Sequence, residues 1–326
     1  MTVTVGIKAL NEEAHIADAI RSALAAVAPL NGEVVLADSG SSDATIAIAR
    51  RFPIRIVQLR NPADACCGAG AQLAFQTVDT EFFYLLDGDM TLDPDFLPAA
   101  IALMRKRNDL AGVGGLMTEH NAGTQEFRIR VAEMRKWKAG DVAWLDGGGL
   151  YRTKAICEVG YLADRNLKSF EEFDLGARLH AKGWRLARIA VNATEHTAHG
   201  GGGYRLMIRR LKSGQMTGSG GVIRASLEGG YFPFVARRLG HLRSALAVLC
   251  WWLAILAAAS YWPLGLVPLL LVPLVFLTWR RRSLNLGLYS FVYWNASAAM
   301  TLLGMVRPRK SPRDPLSVRV IASDEQ

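Results

Sequence analysis

The first 200 residues alternate short apolar runs with amphipathic segments. Residues 3–10, 33–37 and 54–59 are runs of strand length that are rich in apolar and β-branched residues, and helix-like segments separate them. The run 82–86 is continuously apolar, as expected for a strand buried in the middle of a parallel sheet. This alternation predicts an α/β fold with a mostly parallel sheet.

Polar residues follow several of these predicted strands at once. Asn11 and Glu12 come after the first, Asp38 after the second, and Asp87-Gly88-Asp89 after the run 82–86. In open α/β sheets the ligand binds beyond the carboxyl ends of the strands, so these side chains are expected to face one crevice. Asn and Asp are also common in helix caps and turns, and Asn11 is expected to cap the first helix.

The chain changes character after residue 204. Residues 244–279 contain no charged side chain and are about 54 Å long as a helix, more than the roughly 20 residues that one membrane span needs. Pro263 is the expected break, which predicts a helical hairpin. Arginines stand at both ends of the stretch, and the positive-inside rule therefore returns the chain to the cytoplasm.

A third apolar stretch, 284–306, contains Ser290, Asn295, Ser297 and Thr301 and ends at Arg307. A third span would leave the basic residues that follow outside the cytoplasm. An interfacial or re-entrant helix is therefore favoured, with a full span left open. The predicted organisation is a catalytic domain at 1–204, a basic, Gly-rich juxtamembrane segment at 205–243, a membrane region at 244–306 and an irregular basic tail at 307–326.

The charge distribution supports a membrane partner. The formal net charge is +9, and residues 205–326 hold 16 basic and 4 acidic side chains. These basic residues bracket apolar stretches, which favours an anionic membrane surface over a nucleic acid. The cysteines show no metal-ligand spacing, and the N-terminus does not resemble a signal peptide. We expect a multi-pass protein of the cytoplasmic (inner) membrane with its catalytic domain in the cytoplasm.

Four motifs occur in a characteristic order: Lys8-Ala9-Leu10-Asn11-Glu12-Glu13, Ala37-Asp38-Ser39-Gly40-Ser41-Ser42-Asp43, Asp87-Gly88-Asp89 and Glu171-Glu172-Phe173-Asp174-Leu175. Over roughly residues 3–200 the chain resembles the inverting family-2 glycosyltransferases of the GT-A nucleotide-diphospho-sugar transferase fold. The resemblance implies a nucleotide-sugar donor, Mg²⁺ or Mn²⁺ as cofactor, and a single-displacement reaction. A hard cation between carboxylates and a diphosphate agrees with the chemistry of oxygen ligands.

The resemblance also assigns roles to individual residues. It makes Asp89 the stronger metal ligand and places Asp87, a second metal candidate, nearer the sugar or ribose. The nucleotide pocket is expected to use Asn11, Glu12 and Asp38, with Arg60 as a further contact. His196 and His199 are either metal ligands or ordinary loop residues. Basic residues one helical turn apart are expected to bind diphosphate or lipid phosphate, namely Arg205 and Arg209.

An inverting transferase needs a general base for the acceptor hydroxyl. Glu171 and Glu172 match an acidic family motif whose second position is usually Asp, and both stay candidates, with Glu172 favoured. An acidic first turn of a helix is the structural alternative. The glycines after Asp146 resemble the family's acceptor-side loop.

The acceptor is expected to be a membrane lipid or a lipid-linked saccharide, in cell-envelope or exopolysaccharide glycan synthesis. The Gln-x-x-Arg-Trp motif of processive synthases does not occur in the sequence, which favours single addition. A polyprenyl-phosphate sugar transferase is the alternative. A binding scaffold with a degenerate transferase fold is a third reading, which the intact acidic motifs disfavour.

Overall fold

The structure is a computed structural model that describes residues 2–120, 131, 134, 137–197 and 203–321. The chain forms two compact units. The first unit comprises residues 1–200 together with residues 309–326, and the second comprises residues 201–308.

The N-terminal half of the first unit alternates strands and helices as the hydrophobic pattern predicts. In chain order the elements are β1 (Val3–Ala9), α1 (Ile16–Val27), β2 (Glu33–Asp38), α2 (Thr45–Ala49), β3 (Arg55–Leu59), α3 (Cys67–Phe75) and β4 (Phe82–Asp87). The four strands are parallel, in the order β3-β2-β1-β4. Their carboxyl ends therefore lie along one edge of the sheet.

The remainder of the unit extends this sheet. Its elements are β5 (Met90–Leu92), α4 (Phe96–Lys106), β6 (Leu110–His120), β7 (Gly140–Val142), β8 (Gly149–Arg152), α5 (Thr153–Val159), α6 (Glu171–Ala181) and β9 (Arg185–Thr197). β8 is antiparallel to both β4 and β6, and β9 is parallel to β6 and antiparallel to β5. The sheet is therefore mixed, and the predicted parallel arrangement holds for its β3-β2-β1-β4 half.

The centre of the sheet is packed on both faces. Phe82, Phe83 and Tyr84 of β4 are fully buried, and they alternate between two apolar clusters. A Cβ added to Gly6 on β1 would lie 2.6 Å from the ring of Phe83, so the ring fills the space beside this glycine. This packing fixes the strand that ends at Asp87.

The second unit is helical. Its elements are α7 (Gly203–Ser213), α8 (Gly218–Gly229), α9 (Phe232–Arg238), α10 (Gly240–Tyr261), α11 (Leu266–Arg281) and α12 (Leu284–Val306). The predicted break at Pro263 is confirmed, because a short 3₁₀ turn at Pro263–Gly265 separates α10 from α11. Two helices in the described part of the chain are long and apolar enough to cross a membrane, Gly240–Tyr261 and Pro263–Arg281.

The polar residues of α12 face neighbouring helices. Thr301 exchanges a 2.8 Å hydrogen bond with Ser219 of α8, and Asn295 accepts one of 2.8 Å from the indole of Trp252. A Cβ on Gly220 would lie 1.9 Å from the Thr301 carbonyl oxygen, so α8 and α12 approach at backbone distance. Small and polar residues therefore mediate the packing of α12 against its neighbouring helices.

The C-terminal tail differs from the irregular segment that the sequence predicts. Val318–Ile321 forms a strand, β10, which pairs antiparallel with β3 at the edge of the sheet. Leu316 exchanges two hydrogen bonds with the side chain of Gln76, and the Lys310 ammonium lies 2.6 Å from Asp64. A strand of four residues is too short to give a clear periodic signal, but its contacts place the tail in the first unit.

Candidate active site

The site begins where β1 and β4 end side by side. Lys8 stands opposite Asp87 in the register of these parallel strands. The chain then turns through Gly88, where an added Cβ would lie 3.0 Å from the side chain of Glu12. Burial, followed by the carboxylates of Asp89 and Asp87, raises the pKa of Glu12 to about 7. The predicted convergence of the first and fourth strand ends is therefore present.

Asp89 lies beside His196. β5 pairs with β9 so that Met90, the residue after Asp89, stands opposite His196. The Nε2 atom of His196 lies 3.1 Å from Oδ2 of Asp89, and its Nδ1 atom lies 2.8 Å from the carboxylate of Glu119. Burial opposes a charge on this ring, but the two carboxylates outweigh it and raise the pKa of His196.

This pair suits a hard divalent cation that also binds a substrate. Mg²⁺ typically takes one or two protein carboxylates and completes its shell with phosphate oxygens and water. Asp89 offers such a carboxylate, and Glu119 holds His196 as carboxylates commonly hold a metal-binding imidazole. The described residues contain no group of three or more His, Cys, Asp or Glu side chains placed to enclose a metal. The residues therefore fit a cation shared with a diphosphate better than a closed structural site.

The acidic pair is held at the start of α6. Phe170 precedes the helix with φ of 67°, a left-handed conformation that is unusual for a bulky residue and marks a constrained position. Glu171 is buried and its Oε1 atom lies 3.0 Å from the ammonium of Lys8. Glu172 is partly exposed and lies 3.5 Å from the amide nitrogen of Gly148. The two carboxylates therefore have different surroundings.

The glycine loop after Asp146 borders Glu172. Gly148 has φ of 93°, and a Cβ there would lie 2.7 Å from the hydroxyl of Tyr84. Burial, followed by the carboxylates of Asp146 and Glu171, raises the pKa of Glu172 well above its ordinary value. The glycine loop and the acidic pair therefore lie side by side.

Asp174, the third acid of the motif, has a structural environment. It is fully buried and accepts a 2.8 Å hydrogen bond from Arg178, one helical turn later. Arg178 also donates to the carbonyl oxygens of Tyr161 and Leu162 and stacks on the Tyr161 ring at 3.9 Å. The pair ties α6 to the preceding loop and so supports the position of the acidic residues.

The predicted nucleotide residues are engaged in loop contacts. Asn11 does not cap α1, which begins at Ile16; its side chain accepts a hydrogen bond from the amide of Ser42, and its backbone is left-handed. Asp38 is fully buried and accepts hydrogen bonds from Gly40, Ser41 and Gln58. These contacts hold the loops after β1 and β2 together. A nucleotide-binding role for both residues stays a prediction.

The remaining predicted residues lie apart from this cluster or in another unit. Arg60 is exposed at the end of β3, where its amide donates to the Ser317 carbonyl. Arg205 and Arg209 are exposed on α7, in the second unit. His199 lies outside the described residues. Their roles in donor binding stay predictions.

The sequence analysis assigned no role to two residues of the site, Lys8 of the first motif and Glu119. Lys8 contacts Asp87 and Glu171, and Glu119 contacts His196. A lysine near the end of an otherwise apolar strand is unusual, and this position could have indicated a functional residue. Glu119 gave none, because its contact depends on the pairing of β6 with β9.

Comparisons with known proteins agree with this geometry. Residues 4–154 match the family model described as glycosyl transferase family 2. The succinoglycan biosynthesis protein ExoA of Rhizobium meliloti (strain 1021) is 26% identical over 203 residues, covering 55% of this chain and 58% of that protein. The chain thus spans less than two thirds of this relative's length.

Two solved structures share the fold. Mannosyltransferase PcManGT from Pyrobaculum calidifontis, in complex with GDP-Man and Mn²⁺, has a TM-score of 0.60 at 18% identity, over 93% of this chain and 86% of that chain. S. aureus TarS in complex with UDP-GlcNAc has a TM-score of 0.51 at 21% identity, over 62% of this chain and 60% of that chain. The chain therefore shares the GT-A fold, and its residues 4–154 resemble glycosyl transferase family 2.

Proposed function

We propose that the chain transfers a sugar from a nucleoside-diphosphate sugar to a membrane lipid or lipid-linked saccharide, with inversion of the anomeric centre. The observation that carries this proposal is that the Lys8 ammonium lies 3.2 Å from Asp87 and 3.0 Å from Glu171. The predicted donor-binding motif and the predicted base motif are thus within reach of one side chain.

Glu172 is the proposed general base. The acceptor oxygen attacks the anomeric carbon while the bond from that carbon to the diphosphate oxygen breaks, and the nucleoside diphosphate leaves with the electron pair. The acceptor proton passes to a carboxylate, and Glu172 is partly accessible and has a raised pKa. Glu171 is buried against Lys8 and is less able to receive that proton.

Asp89 and His196 would hold the divalent cation, with Glu119 orienting the imidazole. Mg²⁺ or Mn²⁺ would neutralise the negative charge that develops on the departing diphosphate. Glu12, beside Gly88, adds a carboxyl whose pKa is raised to about 7 and which can donate or accept a hydrogen bond near neutral pH. Asp87, already paired with Lys8, is the better candidate for a sugar or ribose contact.

The second unit supports a membrane acceptor. Two of its helices have the length and hydropathy of membrane spans, and arginines flank them. The relative ExoA carries the name of a polysaccharide biosynthesis protein. We therefore propose a multi-pass protein of the inner membrane with a cytoplasmic catalytic unit. A polyprenyl phosphate that is loaded with one sugar is the alternative acceptor.

The test is transfer by the purified full chain in lipid nanodiscs. UDP- and GDP-sugars carrying a radiolabel would be offered with Mn²⁺ or EDTA, and with undecaprenyl phosphate or extracted lipid-linked oligosaccharide as acceptor. We expect label in the lipid-linked oligosaccharide with Mn²⁺ and none with EDTA. Label only in undecaprenyl phosphate would favour the alternative, and a folded protein that labels neither acceptor with any donor would contradict the proposal.

A further inference from the structure

A single lysine lies among the carboxylates of the site. Lys8 is near the end of β1, and its register partner on β4 is Asp87, so both side chains leave the sheet on one face. An added Cβ on Gly70 of α3 would lie 3.7 Å from the Lys8 Cβ, an ordinary van der Waals distance, so α3 packs close beside the lysine stem. The helix and the two strands together direct the side chain towards the edge of the sheet.

The ammonium group of Lys8 bridges two motifs that are far apart in the sequence. It lies 3.2 Å from Asp87 Oδ1 and 3.0 Å from Glu171 Oε1, while the Lys8 side chain is 16% exposed. Burial disfavours its charge, but Asp87 and then Glu171 outweigh burial and hold the pKa of Lys8 well above its ordinary value. Two carboxylates from distant parts of the sequence therefore pair with one ammonium group.

The surroundings make this charge important for geometry. Asp87, Glu171 and Glu172 all lie near Lys8, and like charges this close repel one another unless a cation separates them. Each carboxylate that pairs with the ammonium is held in one direction. A buried ion pair generally adds little net stability, but removing one partner leaves the other charge unpaired. The arrangement therefore suits orientation more than stability.

We propose that Lys8 is a positioning residue. Its bridge between Asp87 and Glu171 fixes the position of the donor-side carboxylate relative to the start of α6. This inference rests on the proposed transferase function. Because the ammonium pairs with Glu171, Glu172 is the carboxylate that remains to face the acceptor. Lys8 acts on the reaction through these two residues.

The first experiment compares Lys8→Met, Lys8→Arg and Lys106→Met in the full chain in nanodiscs. Lys106 is exposed at the end of α4 and is the matched control. We expect Lys8→Met to lower kcat by roughly 10²-fold, as misplacement of reacting groups does, with a smaller change in the donor KM. We expect Lys8→Arg, which keeps the charge, to recover part of kcat. If wild type transfers sugar and Lys8→Met has a kcat within a few-fold of wild type, the inference about Lys8 is overturned and the proposed function stands. If wild type itself transfers no sugar, the proposed function is rejected.

A double-mutant cycle with Glu171→Gln separates positioning from direct substrate contact. If Lys8 acts through Glu171, Lys8→Met should cost less in kcat when Glu171→Gln is already present, because no unpaired carboxylate is left at that position. An equal loss in both backgrounds, or a loss confined to donor KM, would overturn the inference. Should Lys8→Met alone fail to fold, the comparison of Glu171→Gln with Lys8→Met/Glu171→Gln decides by the same criterion.

Discussion

Nε2 of His196 lies 3.1 Å from Oδ2 of Asp89, while Nδ1 of the same ring lies 2.8 Å from Glu119. One imidazole therefore joins the second Asp of the Asp87-Gly88-Asp89 motif to a carboxylate on β6. Glu119 is 1% exposed on its side chain, so it cannot contact a substrate from this position. Its contribution to a metal site would be to fix the orientation and tautomer of His196.

Replacing Glu119 tests this arrangement. We expect Glu119→Gln to weaken Mn²⁺ binding in the presence of a nucleoside diphosphate by roughly 10–100-fold, the usual effect of losing an outer-shell carboxylate. Titration of Mn²⁺ followed by electron paramagnetic resonance measures the affinity. Glu195→Gln is the control, since Glu195 is exposed on β9 and pairs with His120. Equal Mn²⁺ affinity in the two variants would exclude this role for Glu119.

Asp89 and Asp87 should differ in their effect on metal dependence. We expect Asp89→Ala to abolish the increase in donor affinity that Mn²⁺ produces, because it removes the carboxylate beside His196. Asp87→Ala should weaken donor binding and keep most of that increase, because Asp87 is paired with Lys8. Calorimetric titration of the nucleotide with and without EDTA distinguishes the two. If Asp87→Ala alone removes the effect of Mn²⁺, the assignment of the ligands is reversed.

Glu172 should reduce stability at neutral pH. The folded protein raises the pKa of Glu172 above its ordinary value of 4.5, so the folded state binds this proton more tightly than the unfolded chain. As the pH rises above about 4.5, the unfolded chain loses this proton while the folded protein keeps it, so the free energy of unfolding falls until the pH reaches the raised pKa. Glu172→Gln removes this penalty.

We accordingly expect the thermal midpoint of Glu172→Gln to exceed that of wild type at pH 8 and to approach it at pH 4. Differential scanning calorimetry at both pH values provides the measurement. Exposed Glu81 supplies the control variant, Glu81→Gln. A midpoint for Glu172→Gln below that of wild type at pH 8 would show that the carboxylate stabilises the fold.

The position of the tail constrains the membrane topology. The chain leaves the first unit after β9 and re-enters it at β10, and one compact unit lies on one side of a bilayer. If the second unit inserts in the membrane as proposed, the chain between β9 and β10 must cross an even number of times, and a hairpin of α10 and α11 with α12 as an interfacial or re-entrant helix meets this requirement. We expect reporters inserted after Arg282 and after Ile321 both to be cytoplasmic. A periplasmic signal at either position would contradict this topology.

Much of the fold was predictable from local patterns. The alternation of strands and helices, the buried run at β4 and the break at Pro263 are encoded within short windows, and the structure confirms them. The pairing of β8 with β4 and the pairing of β10 with β3 were not predictable in this way. It depends on contacts between segments distant in the sequence, and β10 is only four residues long.

The candidate site was predictable to a similar extent. The motif residues Glu12, Asp87 and Asp89 lie close together, as their positions after strands suggested, and His196 contacts Asp89 from within β9. The sequence analysis assigned no role to Lys8 or Glu119, because their contacts depend on partners that come together only in the folded chain. Asn11 and Asp38 were predicted to bind the nucleotide. The structure shows their side chains in loop hydrogen bonds, and the nucleotide-binding role stays a prediction.

The most direct test of the account is the turnover of Glu172→Gln beside that of Glu171→Gln, with donor and acceptor both saturating. Glutamine keeps the volume and hydrogen-bonding reach of glutamate but cannot take up the acceptor proton. We expect Glu172→Gln to lower kcat by roughly 10²–10⁴-fold while donor affinity persists, and Glu171→Gln to lower it less. Turnover by both variants within a few-fold of wild type would contradict the proposal that this acidic pair supplies the base.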